Sequence, residues 1–306
     1  MSDHVRACVL LVSVWHNTRM ASRPSRPSSP APPAGGEAPT PLLARQRQEF
    51  ILERVATSGG VRVTDVVEAL EVSEMTVRRD ITELVNQGLV ERVHGGAVAP
   101  GPTGHEPRFT TKSGLRTEAK QRIGAAAAAL VRPGDAVALS GGTTTLAVAR
   151  ALAQLPHLGT LTIITNSLPA AQLLFDAADA ARAEGLSAPA VLLTGGELTP
   201  SNALVGPVAV DALAGMQVEW TFIGAHGLTL EAGLMTPNLT EATTNEALIA
   251  AARTTVAVVD SSKWGVLGLR TFCATSGIGV LVTDSPPQED ARNHLEAAGA
   301  SVIVAQ

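Results

Sequence analysis

From Thr117 onward the sequence alternates short aliphatic runs with helical stretches, and this alternation narrows the possible folds more than any other feature. Residues 136–139, 161–165, 190–193, 220–223, 255–259, 278–282 and 301–304 read as strands. Residues 118–130, 144–152, 168–177, 208–213, 241–253 and 289–297 read as helices between them. Strand runs that are apolar throughout belong to a sheet buried on both faces, and helical crossovers make neighbouring strands parallel. The expected architecture is therefore an α/β domain with a mostly parallel sheet and helices on both sides. The chain contains no Tyr and few other aromatics, so its core must be built from Ala, Val, Leu and Ile.

Upstream, the pattern is different. Residues 47–57 carry Phe50, Ile51 and Val55 among polar neighbours, as an amphipathic helix does, and Gly59-Gly60 stops it. Thr64 can cap a second short helix over 65–70, and Glu71-Val72 is a tight link. Ser73 is a natural N-cap for a third helix, whose apolar face is Val77, Ile81 and Leu84. Thr76, Arg78, Arg79 and Asp80 lie off that face, and Gly88 supplies the left-handed residue that ends the helix. Residues 89–93 then alternate like a strand and Gly95-Gly96 turns it back. The whole reads as a winged helix-turn-helix. Its third helix suits a major groove, with Arg78 and Arg79 reaching bases or phosphates and Ser73 and Thr76 making shorter contacts. Arg92, His94 and Gly95 would form the wing.

Thr76-Val77-Arg78-Arg79-Asp80-Ile81, Gly88-Leu89-Val90 and Arg92-Val93-His94-Gly95-Gly96-Ala97 resemble the N-terminal signature of the DeoR family of bacterial transcriptional regulators, without a gap from about residue 45 to 98. The net charge of −5 argues against non-specific coating of nucleic acid. Glutamates are mixed among the arginines of this segment, so DNA binding must rest on local placement of Arg78, Arg79, Arg92 and His94. Dimerisation would double the phosphate contacts, and a homo-oligomer reading half-sites is expected.

Residues 1–43 read as a disordered tail, dominated by Pro, Ser, Ala and Gly over 22–41; the alternatives are a secretory signal, with Arg6 before a short apolar run at 7–14, and a start of translation at Met20. The DNA-binding domain then spans 44–98, a linker with a Pro/Gly stretch at 99–104 spans 99–116, and the α/β effector domain spans 117–306. Cys8 and Cys273 lack metal-like spacing and read as free thiols of a cytoplasmic protein. No apolar run approaches the ~20 residues that cross a bilayer. Neither a cofactor nor a metal is expected.

In open α/β sheets ligands sit beyond the carboxyl ends of the strands. There this sequence places Ser140-Gly141-Gly142-Thr143-Thr144-Thr145, Thr165-Asn166-Ser167, Thr194-Gly195-Gly196-Glu197, Gly224-Ala225-His226-Gly227 and Asp260-Ser261-Ser262-Lys263. Each alone is ordinary turn chemistry. Together they describe a site for a phosphorylated polyol. Gly142 and the following helix N-terminus would receive an anion, Thr143 and Thr144 add hydroxyls, and Lys263 adds a charge. Asn166, Glu197 and His226 would bond sugar hydroxyls.

These loops also resemble the effector domain of the DeoR family, which is related in fold to ribose-5-phosphate isomerase. Gly142-Thr143-Thr144, Thr165-Asn166, Gly195-Gly196-Glu197, Glu241 and Asp260-Ser261-Ser262-Lys263 carry the resemblance, over about 122–284. It implies a repressor of carbohydrate metabolism genes that leaves its double-stranded operator when a sugar phosphate binds. Ser140, His226 and Asn245 stand where the family has Asp, Asp and Lys. With neutral His226, all three exchanges remove formal charge, and His226 is expected to make affinity pH-dependent near neutrality. The rival function is a sugar-phosphate isomerase with a fused DNA-binding head, using Glu241 or Glu197 as base and Lys263 as cation. The lost charges favour sensing over turnover. A pure assembly module is a third alternative.

Overall fold

The computed structural model describes residues 43–58, 60–98 and 109–306. The tail expected over 1–43 (except Leu43), with Cys8 and Met20, and the Pro/Gly stretch at 99–104 lie outside the described residues.

The head contains α1 (Ala44–Ser58), β1 (Gly60–Arg62), α2 (Val63–Leu70), α3 (Glu74–Asn86), β2 (Glu91–Val93) and β3 (Gly96–Val98). Ser73 caps α3 as expected, its Oγ accepting from the Thr76 N–H at 3.2 Å. At the other end the Leu89 N–H donates to the Leu84 carbonyl and the Gly88 N–H to the Val85 carbonyl, with Gly88 at φ 68°. These two bonds form a Schellman motif, which a left-handed Gly permits. Ile51, Val55, Val66, Val77, Ile81 and Leu84 make the small core.

Three expectations for the head are corrected. Gly60 does not merely end a helix, because β1 pairs antiparallel with β3 and makes the wing a three-stranded sheet. Thr64 is not a cap, because α2 starts at Val63, directly after β1. Asp80 is not on the outward face. It is buried, and Arg47 of α1 donates to both its oxygens, Nε at 2.7 Å and Nη2 at 3.1 Å. A carboxylate inside a core needs such a bidentate partner.

The connecting segment has helical structure, α4 (Phe109–Ser113), before α5 (Thr117–Ala128). The second domain continues with β4 (Ala136–Leu139), α6 (Thr143–Leu152), β5 (Thr162–Thr165), α7 (Leu168–Ala183), β6 (Ala190–Leu193), β7 (Glu197–Leu198), β8 (Leu204–Val205) and α8 (Pro207–Leu213). Next come β9 (Val218–Ile223), β10 (Gly227–Thr229), β11 (Gly233–Thr236), α9 (Leu239–Ala250) and β12 (Ala252–Val258). A 3-10 turn (Ser261–Lys263), β13 (Arg270–Cys273), β14 (Val280–Thr283), α10 (Glu289–Ala297) and β15 (Ser301–Val304) complete it.

Seven of these strands form one parallel sheet, in the order β15-β14-β12-β9-β4-β5-β6. One face buries Val137, Leu139, Ile163, Phe222, Val256 and Val282, and the other Ala138, Ile164, Ile223, Ala257 and Leu281, as the uninterrupted apolar runs demand. The chain winds outward from β4 to β6, then returns and winds the other way from β9 to β15. The order therefore reverses between β4 and β9, and a crevice opens at their carboxyl ends. A second sheet, β10-β11-β13, is antiparallel, and β7 pairs with β8 in a small hairpin.

Candidate DNA-contacting face and ligand cavity

Of the groove-facing residues expected from the sequence, Arg78, Arg92, His94 and Gly95 line one shallow groove of the head. Ser73, Arg78, Arg79, Arg92, His94 and Gly95 are exposed and Thr76 is half-buried. Arg78 pairs with Glu74 one turn before it, at 2.6 Å. Both partners are open to water, where such a pair contributes little, so exchanging Glu74 for a DNA phosphate costs little. Arg79 has no hydrogen bond or ion pair among the described residues. Arg92 holds the wing to α3 by donating to the Thr82 Oγ1 and the Arg78 carbonyl. Met75, which sequence reasoning missed, is 81 % exposed in the first turn of α3. An apolar side chain there can press on a thymine methyl group.

At the reversal of strand order lies a cavity. One side is the N-terminus of α6, with Gly142, Thr143 and Thr144. The N–H groups of that first turn have no helix carbonyl to donate to, so they favour an anion. Gly142 sits at φ 142°, a conformation that L side chains rarely adopt. The opposite side is Gly224, Ala225 and His226 after β9, and Glu241 in the first turn of α9. Asp260, Ser262 and Lys263 of the 3-10 turn close the end. Ser140 is buried beneath; its Oγ accepts from the Gly224 N–H at 3.1 Å, fastening β4 to β9 across the crevice.

Six of the ten expected effector residues thus meet in one cavity: Gly142, Thr143, Thr144, His226, Glu241 and Lys263. Asn166, Gly195, Gly196 and Glu197 do not line it. Asn166 is fully buried and donates from Nδ2 to the Leu204 carbonyl at 3.0 Å. Glu197 is exposed and belongs to β7. Gly196, at φ 121°, passes so close to β8 that a Cβ would lie 2.5 Å from the Val205 carbonyl oxygen. The Gly195-Gly196 pair serves that hairpin. Asn245, one of the departures from the family pattern, is buried in α9 away from the cavity lining.

The cavity has cations that the sequence reading did not name: Lys112, Arg116 and Lys120. Lys120 is buried and its Nζ donates to the carbonyls of Lys112 and Leu115, both at 2.7 Å. Burial pushes it down to about 8. A sequence signal existed, since Lys120 shares a helical stripe with buried Gly124 and Ala127. Arg116 donates from Nη2 to Asp284 at 2.8 Å and to Ser261 Oγ at 2.7 Å. Burial opposes its charge, but the Asp284 hydrogen bond and the nearby Asp260, Asp284 and Glu53 carboxylates prevail and raise its pKa. Burial likewise opposes the charge of Asp260, yet Lys263, Lys120, Ser262 and Arg116 hold it below the usual carboxylate range. His226 is driven down to about 4 by burial, with Lys263 and Lys112 adding to the effect. Its titration falls well below neutrality, contrary to the sequence expectation. Helix N–H groups, threonine hydroxyls and four lysine or arginine cations around one crevice can hold a small polyhydroxylated anion.

Comparison with known proteins gives a consistent picture at both ends of the chain. The DeoR-like helix-turn-helix domain matches residues 47–103, and the DeoR C terminal sensor domain matches 115–285. An uncharacterized HTH-type transcriptional regulator of Escherichia coli (strain K12), YgbI, is 33% identical over 85% of this chain and 98% of its own length. The HTH-type transcriptional regulator GlpR of Haloferax volcanii is 34% identical over 86% of this chain and 98% of its own. The glycerol-3-phosphate regulon repressor of Escherichia coli (strain K12) is 32% identical over 79% of this chain and 91% of its own. All three are named as regulators or repressors, which puts this chain in a regulatory class and sets the isomerase reading aside.

Proposed function

Because the chain belongs to the DeoR family of transcriptional regulators, we propose that it represses carbohydrate metabolism genes and is released from its operator by a phosphorylated sugar or a related phosphate ester. The observation that carries this reading is the cavity at the reversal of strand order, where the α6 N-terminus, Thr143, Thr144 and Lys263 converge with Lys112, Arg116 and Lys120. An anionic ligand satisfies the orphan N–H groups and the cations together. Glu241 and His226 face the same space, and a neutral His226 has one ring nitrogen to donate and one to accept from sugar hydroxyls. The relative named as the glycerol-3-phosphate regulon repressor supports a phosphate ester of a small polyol.

In this reading Ser73, Thr76, Arg78, Arg79, Arg92, His94 and Gly95 meet the operator. The protein works in the cytoplasm as a homo-oligomer, whose paired heads span half-sites about 34 Å apart or a multiple of it. Among the described residues no helix is long and apolar enough to cross a membrane.

The test uses the full chain in a thermal-shift screen against glycerol 3-phosphate and pentose and hexose phosphates, followed by gel shifts on a selected operator. A ligand that prefers the folded state raises its melting temperature. Lys263→Gln should lose that shift and retain DNA binding, whereas Arg78→Ala should lose specific DNA binding and retain the shift. A Lys263→Gln protein that responds like its parent would remove the cavity from the mechanism.

A further inference from the structure

The cavity described above has one wall that belongs to the DNA-binding head. Helix α1 lies against the Ser261–Lys263 turn and presents Glu49, Leu52 and Glu53 to the cavity, with Leu89 from the turn after α3 beside them. Glu49 Oε1 accepts from the Arg116 backbone N–H at 3.4 Å, and Arg45 Nη2 donates to Thr117 Oγ1 at 2.6 Å. Glu53 is near enough to Arg116 to favour its charge. Arg116 is the joint of the assembly. It sits at the N-cap of α5 in a left-handed conformation, φ 50°, and its side chain is tied to Asp284 and Ser261 of the second domain.

The charges around the cavity make this contact conditional. Among the described lining residues, the cations are Lys112, Arg116, Lys120 and Lys263, and the carboxylates are Glu49, Glu53, Glu241 and Asp260. With the head in place the signs balance. Without Glu49 and Glu53 the walls carry two positive charges in excess, close to the charge of a phosphate monoester near pH 7. Glu49 also pairs with Arg45 of its own helix, so the link to the cavity cations runs through Arg116, whose charge Glu53 favours and whose backbone N–H Glu49 accepts from; an anion that used Arg116 would stand beside both glutamates and repel them.

Building on the phosphate-ester reading of this cavity, we propose that a phosphate dianion entering it displaces the DNA-binding head, by taking over Arg116 and repelling Glu49 and Glu53, which the head presents beside it. The anion therefore has unequal affinity for the covered and the uncovered cavity, which is the condition for shifting a population. Coupling is reciprocal: the docked head weakens the anion by the factor with which the anion weakens docking. Release of the operator follows, because the heads of an oligomer lose the fixed spacing their half-sites require.

The experiment uses the full chain at pH 7.5 with inorganic phosphate as the probe. Spin labels on Glu68→Cys and Glu289→Cys, both exposed positions, report the distance from head to second domain by pulsed EPR in a Cys8→Ser background. Cys273 is buried with its thiol pushed up to about 11, so it stays unlabelled. Phosphate should lengthen and broaden the distance distribution. By calorimetry, Glu49→Gln/Glu53→Gln should bind phosphate about tenfold more tightly than the parent, within the usual range of coupling between sites. Equal or weaker binding by the variant, with label distances unmoved by phosphate, overturns the antagonism and leaves the site reading intact. Absence of phosphate binding to either protein overturns the site reading and this inference with it.

Discussion

Lys120 and His226 exchange the roles their side chains would have in water. A histidine normally titrates near neutrality, but burial and two neighbouring lysines leave His226 neutral down to about pH 4. Lys120, normally charged far above neutrality, loses its proton near pH 8. Sulfate stays a dianion over the whole accessible range and isolates the protein's own titration. Its affinity, by calorimetry, should be flat from pH 5.5 to 7 and fall above pH 8, and Lys120→Met should abolish the fall. A transition centred near pH 6.5 would return the role to His226. The stability consequence has a definite sign. The unfolded chain holds the Lys120 proton up to about pH 10.4, so between about pH 8 and 10.4 it binds more protons than the folded one and stability rises with pH. Asp80 makes a second prediction at this scale. Asp80→Ala removes both carboxylate oxygens that accept from the part-buried Arg47 guanidinium and should cost about 1–3 kcal/mol in chemical denaturation of the head. Arg78→Ala, on the exposed face, should stay within about 0.5 kcal/mol.

The elements most readable in the sequence were those whose local signals agreed with their tertiary surroundings. The Ser73 cap, the apolar stripe of α3 and the Gly88 stop all point to one helix, and it forms between those limits. Ser73→Ala should lower head stability by about 1 kcal/mol, read in the same denaturation experiment. The alternation beyond Thr117 likewise gave the parallel sheet, because strands buried on both faces need no partner to be recognised. Elements set by pairing at a distance were hidden. The run after Glu241 reads as helix through Arg253, yet β12 starts at Ala252, where pairing with Val218 of β9 outweighs the helix preference of alanine. The antiparallel β10-β11-β13 sheet was hidden because its strands are only three or four residues long and declare themselves only by pairing, as of Leu234 with Cys273. Asn166 and Gly195-Gly196 lie outside the cavity lining for the same reason: Asn and Gly serve turns and ligands alike, and the position of β8, which the sequence does not show, sets where they stand. Lys112 and Arg116 were illegible as cavity residues, since nothing local shows that the connecting segment folds back over the strand ends.

At the scale of the molecule the regulator is acidic overall, and in the proposed reading its DNA affinity rests on a few exposed side chains of the head. Its operator affinity should fall with salt in proportion to the phosphates those side chains neutralise. In a dimer on a two-half-site operator, Arg79→Ala should reduce the slope of log affinity against log salt concentration by about 2 if both copies contact phosphate, measured by fluorescence anisotropy. An unchanged slope would mean that Arg79 reads a base edge or nothing at all. The placement of α1 over the strand ends has a consequence for timing. In the proposed antagonism, entry of the ligand and departure of α1 are one event, so a metabolite pulse shorter than that motion leaves the operator occupied, and the regulator responds to sustained supply instead of momentary fluctuation.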